Sequence, residues 1–422
     1  MSFSVCARAT ALFALAAAFA VACADSTDEH ENLTSEDGSN DAGDNVDGTV
    51  LPTPEKDAGN VDVDVDADVD ASIDDDDAVD ASDASVKKTC TVQGWCPTQL
   101  PPSQTLRAVW GDGTGIAWTV SEQGNILRWD GSAWSIVYTD PGKLYAIWGS
   151  GPTDIWVGGV NGVFHGTGAT SATLSWTRFP TESNVPVLQM WGTGANDVWA
   201  VGNNGTISRI YHYGGPNAGA DATGGWVTDP ASASVVGLLG RIWGYGPDNV
   251  WATGYTTVSA RDQPVIWHRA PGDGGVAFTE DKSFTFFARN TLYGGITSDT
   301  NNIIWYGLTS VQPYIYWQKR ADSTQPYTWT NAASVTYPNT PSCNNQVHNG
   351  VFGATTTDFW TFGEYGRLCH FDGKLWSAAA VSVDPLPMTN TFWAAWGPDG
   401  ATSPQWVVGQ DVAIRKQATG NP

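Results

Sequence analysis

Apolar and polar residues alternate over short runs along most of this chain, and the runs themselves recur. Leu106 to Gly111, Ile116 to Val120, Asn125 to Trp129 and Ala133 to Val137 are short apolar-rich runs of strand length and composition. The breaks between them are turn-forming, with Ser121-Glu122-Gln123-Gly124 before the third run and Asp130-Gly131 before the fourth. The spacing predicts four short antiparallel strands. Phe371-Asp372-Gly373-Lys374-Leu375-Trp376 repeats the last of these hairpins nearly unchanged.

A longer period is laid over the short one. Trp148-Gly149 is followed eight residues after its tryptophan by Trp156, and the same interval separates Trp110 from Trp118, Trp191 from Trp199 and Trp243 from Trp251. Phe352-Gly353 with Trp360 keeps the interval, and Trp396-Gly397 with Trp406 stretches it by two. A fifth, degraded copy has Thr297 at the first tryptophan position and Trp305 at the second. Four strands recurring every roughly 40–50 residues is the signature of a radial all-β repeat fold, the β-propeller. Seven inner strands are counted, and the seventh copy ends at about Lys416 after its third strand. Gly94-Trp95 matches Gly225-Trp226, a fourth strand, so a seven-bladed ring of four-stranded blades closed by an N-terminal strand is expected over residues 89–422.

Ala117-Trp118-Thr119-Val120, followed by Gly124-Asn125-Ile126-Leu127-Arg128-Trp129-Asp130-Gly131-Ser132-Ala133-Trp134, resembles a tectonin repeat. The same spacing of Trp, Gly and aromatic-Asp-Gly is similar to bacterial Trp-Gly-repeat surface lipoproteins. The resemblance spans about residues 90–416 and is clearest in the first, second, third and sixth copies. Tectonins are propeller lectins, so it implies glycan recognition.

The repeats leave the N-terminus unexplained, and charge explains it. Of the formal net charge of −24, residues 24–88 carry 22 acidic and 3 basic side chains, while residues 89–422 carry 22 acidic and 16 basic. All 22 tryptophans lie between Trp95 and Trp406. Residues 23–88, with VDVDVDADVDAS and a four-Asp block, are therefore expected to form a disordered acidic tether. A chain of about 65 residues reaches on the order of 45 Å. Neither the Gly nor the Glu that a twelve-residue calcium loop needs is in place. Residues 1–22 read as a signal peptide, with Arg8 before an apolar run too short to span a bilayer. Ala20-Val21-Ala22-Cys23 resembles a lipobox, which implies cleavage before Cys23 and its acylation. The alternative is an ordinary A-x-A cleavage site. The lipoprotein reading predicts export and anchoring to a bacterial outer membrane or cell surface.

Candidate chemistry is sparse. Asp154, Asp197 and Asp358 each stand two residues before the second aromatic of their copy, with Asn249 in the fourth. A side chain repeated at one offset scatters around a ring, so these and Trp148, Trp156, Trp191 and Trp199 are read as structural, the carboxylates capping backbone N–H groups. His165, His212, His268 and His370 fall on third strands, where hydrogen bonding between blades is expected in place of a metal site. Cys90, Cys96, Cys343 and Cys369 suit two disulfides in an exported protein, Cys90 with Cys96 and Cys343 with Cys369 being the simplest pairing. Tyr245, Tyr255, Tyr314 and Tyr327 are candidate sugar-stacking residues on long middle loops. No catalytic motif, cofactor site or large basic patch for nucleic acid is visible, and a monomer is expected. The reading is a lipid-anchored, non-catalytic module binding a glycan or protein through propeller loops. A structural scaffold in an envelope assembly and a carbohydrate-active hydrolase are the alternatives.

Overall fold

A tryptophan eight residues after another, across a tight turn, sits directly opposite it in an antiparallel pair. That is the register found: Trp110 faces Trp118, Trp148 faces Trp156, Trp191 faces Trp199 and Trp243 faces Trp251. Phe352 faces Trp360, and Trp396 faces Trp406 across a turn two residues longer. The computed structural model describes residues 90–417 except 92, 183, 219–223, 286–288, 295–299, 309–312, 332–342, 344–347, 380–381 and 384–385. The expected signal peptide, Cys23 and the expected tether lie outside the described residues.

The chain folds into seven four-stranded antiparallel sheets, arranged as a β-propeller. Blade 1 runs from Leu106–Gly111 to Trp134–Thr139, blade 2 from Leu144–Gly151 to Ser175–Phe179, and blade 3 from Val187–Gly194 to Trp226–Thr228. Blade 4 runs from Leu238–Gly246 to Gly275–Glu280, blade 5 from Arg289–Gly294 to Thr328–Asn331, and blade 6 from His348–Thr355 to Trp376–Ala378. Blade 7 takes three strands from the C-terminal end, and Trp95–Pro97 completes it by pairing with Val412–Lys416. First strands of successive blades pack on one another around the ring, including blade 7 on blade 1, so they line the central channel. In the fifth blade Gly294 faces Trp305, which corrects the expected equivalence of Thr297.

The core is not central but divided among the seven junctions between blades. Trp118, Val120 and Ile126 of blade 1 pack with Ile147, Ile155 and Phe164 of blade 2, and an equivalent cluster fills each other junction. Trp118, Trp156, Trp199, Trp251, Trp305 and Trp406 are buried almost completely. Truncating any one of them to alanine is worth ~3–5 kcal/mol. The glycine after the first tryptophan has its own physical cause. A Cβ on Gly149 would lie 2.9 Å from the Trp110 ring, one on Gly192 2.9 Å from Trp148, and one on Gly244 2.8 Å from Trp191. Trp110, Trp148 and Trp191 thus each lie on the bare backbone of the next blade. The Trp-Gly pair is a joint between blades.

Two disulfides staple this frame, Cys90 with Cys96 beside the closing strand and Cys343 with Cys369 between the third strand of blade 6 and the segment before that blade.

Candidate functional site

The repeated polar residues belong to the frame. Asp154 binds His165 Nε2 at 2.5 Å and accepts the Ser150 hydroxyl, and His165 lies flat on Trp156 at 3.6 Å with 7° between planes. Asp197, Thr193, His212 and Trp199 repeat this in blade 3, with a 2.7 Å Asp–His bond and a 3.8 Å stack. Asp358, His370 and Trp360 repeat it in blade 6. The histidines therefore bond within their own blade, not between blades as expected, because each pairs directly across from the tryptophan. The carboxylates accept from side chains and not from the backbone N–H groups expected. Burial alone would raise the Asp154 and Asp197 carboxyls, but the hydrogen bonds from the imidazoles and hydroxyls outweigh it and hold both below the usual range. In blade 4 Asn249 replaces the acid, and burial pushes His268 down to about 4, with Arg320 adding to the effect and Asp281 opposing it. In blades 1 and 7 an arginine, Arg128 or Arg415, takes the histidine's place opposite the tryptophan. These networks are spread over separate blades and do not converge. Among the described residues no group of three or more His, Cys, Asp or Glu is placed to hold a metal.

The four tyrosines are not brought together either. Tyr245 stands edge-on to Trp243 at the far end of its first strand, and Tyr327 packs on Trp251 and donates to Thr300 O at 2.5 Å. Tyr255 lies toward the opposite end of blade 4, paired with Leu238 and Pro264. Tyr314 is on the third strand of blade 5, and its side chain lies outside the described residues.

Convergence is found instead at the channel. In six blades the first strand carries, near its start, an extra residue that breaks the pairing register: Arg107, Tyr145, Leu188, Gly240, Asn349 and Trp393. Each is three residues before its blade's first tryptophan or phenylalanine. A bulge bends the strand and re-aims the extra side chain, and bulges at barrel rims serve that purpose. All six stand at the end of the strand that is entered from the preceding blade. They form a ring at one mouth of the channel. Contacts bring three of them together: the Arg107 guanidinium lies 4.1 Å from the Trp393 ring and 6.0 Å from the Tyr145 ring, joining blades 7, 1 and 2. Arg241 Nη2 of blade 4 donates to Asn349 O of blade 6 at 3.4 Å, which skips a blade and so reaches across the channel.

The mouth is also charged. Glu122 holds Arg107 at 3.4 Å and Lys143 at 2.6 Å. Beside it, blade 4 projects. Its second and third strands, Asn249–Val258 and Arg261–Gly272, are the longest in the ring, and their turn at Ser259-Ala260 has φ of 52° and 60°. The segment after Ala270 is the continuation of this sheet at the opposite end, with Gly272 facing Gly275. The mouth residues were missed in the sequence because each sits inside an apolar run, where the out-of-register position leaves no mark. The only available signal was their constant offset from the tryptophan.

No protein-family model matches the chain, and no curated protein matches it. Solved structures do. YCF48 bound to D1 peptide superposes with a TM-score of 0.53 at 15% identity, over 78% of this chain and 99% of that one. The extracellular domain of BT4673 from B. thetaiotaomicron gives 0.54 at 12% identity, over 78% of this chain and 40% of that one. A catalytically inactive virginiamycin B lyase from Staphylococcus aureus with quinupristin gives 0.53 at 12%, over 77% and 99%. What this chain shares with them is the propeller fold.

Proposed function

We propose that this chain is an exported, lipid-anchored recognition module of a bacterial cell envelope that binds a glycan or protein ligand at the channel mouth without turning it over. The observation that carries the reading is the ring of bulged residues, which brings the Arg107, Tyr145 and Trp393 side chains of blades 1, 2 and 7 together at one opening. A rigid repeat scaffold with side chains of several blades converging on one spot is the arrangement in which propellers hold ligands. The tectonin-like repeats favour a glycan. One neighbour in fold is described bound to a peptide, another with quinupristin, and a third is an extracellular domain. Two disulfides suit an oxidising compartment. Cys23 supplies the anchor, and the acidic stretch after it holds the propeller clear of the membrane.

The test has an anchor arm and a binding arm. Cys23→Ala is expected to move the protein from the membrane pellet to the soluble exported fraction. Full-length protein is then screened against envelope glycans and envelope proteins, and the hit is measured with Trp393→Ala and Tyr145→Ala. Each substitution is expected to weaken binding about tenfold while melting as wild type does. Cleavage of the hit, or undiminished binding by both variants, rejects the reading.

A further inference from the structure

We infer that the channel mouth is built for the carboxylate of an acidic sugar, so that the ligand is a uronic-acid-bearing polysaccharide. This rests on reading the mouth as the binding site and adds the chemical class. The first ground is charge. Residues 89–422 carry 22 acidic and 16 basic side chains, yet Arg107 and Lys143 stand at the mouth against Glu122, and Arg241 reaches across the same mouth from blade 4 to Asn349 O of blade 6. Farther out, Arg209 and Glu182 pair with each other. A guanidinium takes a carboxylate by charge-assisted hydrogen bonds, and its position matters as much as its charge. Both arginines are held in place, Arg107 against Trp393 and Glu122, Arg241 against the Asn349 carbonyl.

The second ground separates a sugar from a peptide. A propeller's first strands turn one backbone edge to the channel, and an extended peptide binds such an edge by adding a strand. Here side chains already occupy three of its groups. Arg241 donates to Asn349 O, Asn349 Nδ2 donates to Phe392 O at 2.8 Å, and Ile242 N donates to Gln189 Oε1 at 2.8 Å. The mouth therefore offers side-chain chemistry: guanidinium groups for a carboxylate, the Tyr145 and Trp393 rings for the apolar face of a sugar ring, and amides for its hydroxyls. The third ground is room. A Cβ built on Gly240, the bulge residue beside Arg241, meets no atom of the described residues within 4 Å.

The experiment titrates the full chain calorimetrically with a galacturonic acid hexamer, its fully methyl-esterified form, and a hexaglutamate peptide. The acid hexamer is expected to bind, more tightly at low salt, and the ester about tenfold more weakly or less still. Arg107→Gln and Arg241→Gln each reduce affinity for the acid about tenfold. Gly240→Phe fills the open space while keeping both arginines, so it tests the site even where an arginine variant melts early; it is expected to abolish binding. Equal binding of acid and ester, no binding of either, hexaglutamate binding as tight as the uronate, or acid binding untouched by Gly240→Phe each overturn the inference. If those results came with a neutral glycan or a protein that still depends on Trp393, only the uronate class would fall, and the mouth would stand as the recognition site.

Discussion

One position among the repeats departs from its equivalents by a single atom. Asp154, Asp197 and Asp358 each face a histidine that stacks on a buried tryptophan, and Asn249 faces His268 in the same geometry at 2.8 Å without a charge. His268 is pushed down to about 4 by burial, and His348, also deeply buried, is likewise held near 4. For a base with a lowered value, the unfolded chain takes up a proton between pH 6.5 and 4 that the folded chain refuses. Stability is therefore lost as pH falls through that window, by ~1.4 kcal/mol per pH unit for each group, and levels off below it. Asn249→Asp places a carboxylate against His268 Nε2, so the imidazole's titration should move upward in NMR spectra and the acid slope of stability should flatten. An unmoved titration would show that the Asn249 contact does not govern this histidine. At this scale the sequence was partly legible. The Asp, His and Trp positions announced a repeated structural role, but which side chains they bonded depended on cross-strand register, which apolar runs do not reveal.

At the scale of one blade, the Trp-Gly pair was visible as a spacing and only the packing explains it. Trp148 from blade 2 rests on Gly192 of blade 3, where a Cβ would also come within 2.6 Å of Asp197 O. Overpacking of this kind costs ~1–3 kcal/mol. Gly194, two residues on, has nothing within 4 Å of its missing Cβ. Gly192→Ala should therefore lower the urea midpoint clearly, while Gly194→Ala leaves it nearly unchanged. Equal behaviour of the two would mean that blades do not mesh through this joint. The same packing accounts for the legible and illegible parts of the fold. Strand number, closure and the hairpin at Asp130 follow from periodicity and turn residues. The bulges do not, since Arg107, Tyr145 and Trp393 differ in chemistry and share only a place on the ring. The fifth blade was misaligned because Gly294 stands where other blades have an aromatic.

For the whole molecule, stability depends on closing a circle of seven similar junctions, and the last is made by the N-terminal strand. Trp95 is fully buried, edge-on to Trp360 of blade 6 at 5.8 Å, and pairs with Lys416. The Lys416 ammonium lies 4.9 Å from the Trp95 ring and 5.5 Å from the Trp360 ring, and burial pulls its pKa down. Thr98 adds bonds from its N–H and hydroxyl to Ala413 O, and its hydroxyl accepts the Trp134 indole N–H of blade 1. One three-residue strand with its flanks thus ties blades 6, 7 and 1 together, and it leaves no unpaired third-strand edge on blade 7. Deleting residues 89–98 should lower the melting temperature by several degrees and promote aggregation, because the exposed edge of Val412–Lys416 then seeks another partner. Trp95→Ala alone should cost ~3–5 kcal/mol. Deleting residues 30–85 serves as the control and should leave melting nearly unchanged. Scanning calorimetry with light scattering reads all three variants, and indistinguishable traces for the two deletions would remove the closing strand from the account of how the ring holds.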